Sequence, residues 1–128
     1  MLARGTFRLA LGICSIAVLL HLYTALFSAE GGISGFLVGL VLLSCLPCAV
    51  AAALATRRRL ELPALGFAAA SLIADLYMHC SVFIAPNGST AALGLLFMPV
   101  WNLLAVGPAG AVLLWLAHRL LAGRQSAP

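Results

Sequence analysis

Asp75 is the residue on which any chemistry in this sequence would turn. It lies within about one residue of the middle of an apolar stretch, residues 63–85, where an ionised side chain costs about 2.5 to 3.5 kcal/mol on insertion scales. Ser71 and His79 stand four residues to either side and so share its face of a helix. His21 and Asn102, on two other apolar stretches, fall at a similar depth. At helical rise they lie about 3 Å outward of mid-span, against about 1.5 Å for Asp75 and about 7.5 Å for His79. Ser44 and Cys45 lie near the middle of a further stretch, so every stretch offers a polar group to one central-to-outer layer.

Three roles fit such a layer. An Asp–His pair is a relay element for protons or other cations in membrane carriers. His21 and His79 could instead present imidazole nitrogens to a metal or haem, with Asp75 as a ligand or as the group that orients them. A purely structural role is the third, with Asp75 bonded to His21, Asn102 or a serine to hold helix register. Cys45-Leu46-Pro47-Cys48 adds a CxxC, the spacing of redox dithiols and soft-metal thiolates. Its place deep in an apolar run favours a small core residue after a proline kink, so Cys45 and Cys48 rank with His21 and His79 as weak metal candidates only.

These residues need elements to position them, and composition limits what those can be. Of 128 residues, 64% are hydrophobic and 8% charged, with a mean hydropathy of +1.16. Soluble domains are about a quarter charged, so a soluble globule is excluded. A disordered chain needs low hydrophobicity. A nucleic-acid binder is excluded because the net charge of +4 comes from arginines scattered among apolar runs. Crossing a hydrocarbon core takes about 20 apolar residues, and four segments reach that length: residues 9–29, 33–55, 63–85 and 91–117. The first exceeds the apolar core of a secretory signal, and Phe27 is too bulky for the position three before a cleavage site. It is expected to be retained.

The fold expected is an all-α membrane protein, four transmembrane helices in an up-down-up-down bundle, because short links make successive helices antiparallel neighbours. Residues 1–128 form a single membrane domain with little chain left for anything outside it. Arg4, Arg8, Arg57, Arg58, Arg59, Arg119 and Arg124 all fall on one side of the spans, and neither opposite link, around Glu30 and Asn87, carries a basic residue. Positive charge collects in cytoplasmic segments, so both termini are expected inside. Pro63 suits the first turn of the third helix, and Pro86-Asn87-Gly88 reads as a turn with Ser89 or Thr90 capping the next helix. Asn87-Gly88-Ser89 also spells a glycosylation sequon, held too close to the membrane for use.

Small residues drive helix association in lipid. Gly31, Gly35 and Gly39 repeat every four residues on the second helix, and Gly66, Ala70 and Ala74 do so on the third. They predict packing within one chain or, as the alternative, a homo-oligomer. Pro47, Pro99 and Pro108 predict kinks, the last two with a break in the fourth helix around Asn102. His118 beside Arg119 reads as an interfacial anchor, and Trp115 suits an aromatic belt, whereas Trp101 should face the bundle or lipid.

No phosphate-binding, zinc-protease or nucleophile-elbow motif is present, so no enzyme is expected. The sequence is that of a small protein of the bacterial inner membrane type, with no cofactor required and the bilayer, a further copy or a larger membrane complex as partners. The function expected is an accessory or assembly subunit packing through its glycine stripes; the alternative is a small proton- or cation-coupled permeation or carrier unit using Asp75, His79, His21, Asn102 and Ser71. A haem or metal redox protein is the third. Contact between the His21 and Asp75 faces across the bundle favours the carrier.

Overall fold

The computed structural model describes residues 2–28, 35–84 and 91–125, and these are helical apart from one link. The elements are α1 (Leu2–Tyr23), α2 (Gly35–Ala55), α3 (Glu61–His79), α4 (Ala91–Trp101) and α5 (Gly107–Gln125). Wide π-type turns continue α1 over Thr24–Ser28 and α3 over Cys80–Ile84, and a third, Asn102–Val106, joins α4 to α5. Four helical stretches are therefore long and apolar enough to cross a membrane: Gly5–Phe27, Leu37–Ala55, Glu61–Ile84 and Gly94–Gly123. Gly31 and the expected turn at residues 86–90 lie outside the described residues.

Each wide turn has a local cause. The Thr24 hydroxyl donates to the Leu20 carbonyl at 3.0 Å and the Ser81 hydroxyl to the Met78 carbonyl at 2.9 Å. Both compete with the backbone for the helical ladder. Pro108 has no N–H to offer Leu104 and its ring crowds that carbonyl. The ladder widens just before it, and the Gly107 N–H donates to the Asn102 carbonyl five residues back. The break expected around Asn102 is thus a widened turn in a continuous helix.

Two helix ends differ from expectation. α1 begins at Leu2 and α5 runs to Gln125, because helical winding continues through arginine, leucine and glutamine after hydropathy has fallen. Between α2 and α3 a short link carries the exposed Arg57, Arg58 and Arg59 and closes with Leu60 N–H on the Arg57 carbonyl at 2.7 Å. Glu61 follows in the first turn of α3, where its charge suits the helix dipole, and Pro63 sits there as expected.

α3 lies at the centre and touches α1, α2 and α5. Ala10, Ala55 and Ala64 form one buried cluster, and Cys14, Ala51, Phe67 and Ala68 the next. Ascending α1 and α3 together therefore means descending α2. The tightest approach is between α3 and α5. A Cβ on Gly66 would collide with the Gly110 carbonyl, and one on Gly110 with Ala70. Gly66 and Ala70 thus pack as the small-residue pattern predicts, against Gly110 of α5.

The α2 stripe corrects the companion expectation. Gly35 and Gly39 are exposed and a Cβ on either would meet nothing within 4 Å. α2 turns Ser44, Pro47, Ala51 and Ala55 inward instead. Contact with α3 through those residues leaves the glycines on the far side of the helix.

The core is small or polar and the outside is large and apolar. Leu, Ile, Val, Phe and Trp side chains crowd the exposed surface, Trp101 among them, while alanines fill the interior. In water such a surface would aggregate. Hydrocarbon is its natural solvent.

Candidate functional site

Asp75 is 3% exposed and Asn102 1%, and the two meet between α3 and the wide turn after α4. One N–H of the Asn102 amide donates to Asp75 Oδ1 at 2.7 Å, and the other reaches the Ser71 carbonyl at 3.5 Å. His21 approaches from α1, with Nε2 3.3 Å from Asp75 Oδ2. With Asp75 ionised its oxygens only accept, and His21 then donates its Nε2–H to Oδ2. Three spans thus converge on one carboxyl group.

His79 is held differently. Its Nδ1–H donates to the backbone carbonyl of Asp75, one turn back, at 2.7 Å. The ring then lies against His21 with centroids 5.5 Å apart and planes inclined by 55°, and Phe83 flanks its other side at 6.0 Å. Nε2 of His79 and Nδ1 of His21 keep no hydrogen-bond partner among the described residues.

Both imidazoles line a cavity of about 210 Å³ between α1, α2 and α3, together with Thr24, Ser44 and apolar side chains such as Leu40 and Val41. Ligand pockets for organic molecules run to about 300–1,000 Å³. This one suits an ion with its waters and is too small for a haem. An apolar cleft of about 240 Å³ adjoins it, sharing Ala25, Leu37 and Val41 and lined further out by Leu22, Leu26 and Leu42.

Two polar atoms of the site are stranded. Ser71 Oγ and Asn102 Oδ1 are buried with no hydrogen-bond partner among the described residues. A buried, unpaired polar group costs about 1–3 kcal/mol. Interhelical hydrogen bonds in membranes average only about 0.6 kcal/mol, so the two side-chain bonds to Asp75 do not offset about 2.5–3.5 kcal/mol for its insertion. Stability alone is a poor reason for this cluster.

All five residues expected at the site, Asp75, His79, His21, Asn102 and Ser71, are therefore brought together, with Ser71 contributing its carbonyl while its hydroxyl stays idle. Ser44, known from the sequence only as a mid-depth polar group, joins the cavity from α2. Within the CxxC, Cys48 faces Cys14 on α1, each thiol near the other residue's carbonyl at 3.7 and 3.8 Å, and Cys45 joins both in lining a groove between α1 and α2. All four cysteines are free thiols. Near the end of α5, Arg119 lies over the exposed Trp115 ring at 4.4 Å.

No family model, curated protein or solved structure matches this chain.

Proposed function

We propose that this chain is a small carrier or permeation unit that binds a cation midway through its helices, at the cluster of Asp75, His21 and His79. The observation that carries the reading is the convergence of His21 and Asn102 on one buried carboxylate beside a small cavity lined by two histidines. An acidic group that costs more than its contacts return, holding two histidines that line a cavity with room for an ion, is best understood as part of a binding site. The reading places the four spans up-down-up-down with both ends cytoplasmic, as the arginine distribution favours, in a bacterial inner membrane.

The test is cation movement into liposomes holding the purified protein, with an internal pH dye for protons and an internal chelating dye for divalent metal ions. Wild-type protein should move one of these at least tenfold faster than empty vesicles, and Asp75→Asn should return the rate to that background. Equal rates for the two proteins would defeat the proposal. Glu61→Gln, at the far end of the same helix, should leave the rate unchanged.

A second reading rests on a different observation. Gly35 and Gly39 present bare helix backbone outward with open space before them, the geometry at which another membrane helix docks closely. An accessory or assembly role, or a homo-oligomer, would use that face. Cross-linking from a cysteine placed at Gly39 in native membranes should trap a partner or a second copy. Recovery of monomer alone would remove this reading.

A further inference from the structure

We infer that His21 and His79 form a binding site for a late first-row divalent metal ion, with Zn²⁺ the natural probe. The inference rests on the cation reading above and narrows it to a chemical class. Three features of the two rings support it independently.

The first is the state of the nitrogens. His79 must carry its hydrogen on Nδ1, because the Asp75 carbonyl can only accept. His21 points Nε2 at the Asp75 carboxylate. Each ring therefore has one nitrogen committed to Asp75 and a lone pair on the other. A pair of lone pairs repels carbonyls, phosphates and other acceptors and attracts a cation. Metal-bound histidines show this same arrangement, with the second nitrogen donating to a carboxylate or a backbone carbonyl. Asp75 supplies both kinds of anchor at once.

The second is spacing. Imidazoles bound at about 2.1 Å to one tetrahedral ion hold their ring centres about 5 to 6 Å apart, and here the separation is 5.5 Å with the rings inclined rather than stacked. The third is room. Both rings line the cavity of about 210 Å³, which also receives Ser44 and Thr24. No cysteine is among the described residues that line it, and imidazole with hydroxyl or water selects zinc, copper or nickel rather than magnesium or calcium.

Among the described residues no group of three His, Cys, Asp or Glu side chains could enclose a metal. The ion would therefore keep positions for water or for the hydroxyls of Ser44 and Thr24. Structural zinc sites close all four positions with protein groups. A site that supplies two releases its ion, as a carrier requires.

The experiment is Zn²⁺ titration of the full-length detergent-solubilised protein by calorimetry, paired with pulsed electron paramagnetic resonance of the Cu²⁺-loaded wild type to count bound imidazoles. One Zn²⁺ per chain and two imidazole nitrogens are expected. His79→Ala should weaken Zn²⁺ binding more than 100-fold, Asp75→Asn about 10- to 100-fold through the lost anchor, and His118→Ala, on the exposed end of α5, not at all. The copper spectrum needs no variant, so misfolding cannot mask the answer. Absence of imidazole nitrogens at Cu²⁺, or Zn²⁺ binding that survives His79→Ala, overturns the inference. Asp75-dependent proton movement in liposomes by a protein that does not bind Zn²⁺ overturns the metal site alone; no binding and no cation movement overturns both it and the carrier.

Discussion

At the scale of single residues, Ser71 and Asn102 make opposite predictions although each carries a stranded polar atom. Ser71 Oγ has no hydrogen-bond partner among the described residues, so Ser71→Ala removes a buried liability and should leave stability within about 0.5 kcal/mol of wild type, or raise it. Asn102→Ala strips Asp75 Oδ1 of its donor and frees the Ser71 carbonyl, and should cost about 1–3 kcal/mol. Reversible unfolding in mixed micelles measures both; a larger loss for Ser71→Ala than for Asn102→Ala would contradict the assignment. Much at this scale is legible beforehand. Ser71, Asp75 and His79 announce a common face by spacing alone, and helical rise places His21 and Asn102 at nearly their depth. What spacing cannot encode is the direction in which α1 and α4 turn those side chains, since the apolar asymmetry around a helix is weak when both bundle and lipid are apolar. The Cys14–Cys48 contact is hidden for the same reason: it joins residues of two helices whose mutual rotation no local pattern records.

At the scale of elements, the α3–α5 contact sets the position of everything above it. Gly66→Leu or Gly110→Leu should push the two helices apart, destabilising by about 1–3 kcal/mol or more through overpacking. Gly39→Leu points into open space and should change the stability of the isolated chain by less than about 0.5 kcal/mol. Thermal unfolding in detergent compares the three, and a Gly39→Leu loss equal to that of Gly110→Leu would refute the packing described. Four-residue glycine spacing therefore reveals that a helix has a close-contact face without revealing its owner. On α3 the face meets α5 of the same chain, and on α2 it meets nothing among the described residues. Gly110 escapes recognition because it stands beside Pro108, where a glycine reads as punctuation rather than as a surface.

At the scale of the whole molecule, the spans are the most legible feature, because their evidence is a count of apolar residues and needs no knowledge of faces. The interior is less so: alanine fills it, and alanine is apolar whether it packs or faces lipid. The arginine distribution predicts that the amino terminus, the link bearing Arg57, Arg58 and Arg59, and the carboxyl terminus share the cytoplasmic side. A fluorescent protein that matures only in the cytoplasm, fused after Pro128 in a bacterial host, should fluoresce, and an export-dependent phosphatase fused at the same point should stay inactive. The reverse pattern would invert the bundle and turn the histidine cavity toward the opposite compartment.

The wide turn at Asn102–Val106 sets the phase between the site and its foundation. Asn102 and Gly110 are eight residues apart, and uninterrupted winding at about 100° per residue would leave them about 80° out of alignment around the helix. One residue absorbed by the widened ring brings them within about 20°, so that one can meet Asp75 while the other meets Gly66. Deleting a single residue there would turn the wide turn into ordinary winding and keep both contacts in phase, whereas inserting one would rotate the two by about a further 100° and force a choice between gripping α3 and reaching its carboxylate. Spacing in this segment is thus under a constraint of number, independent of which side chains fill it.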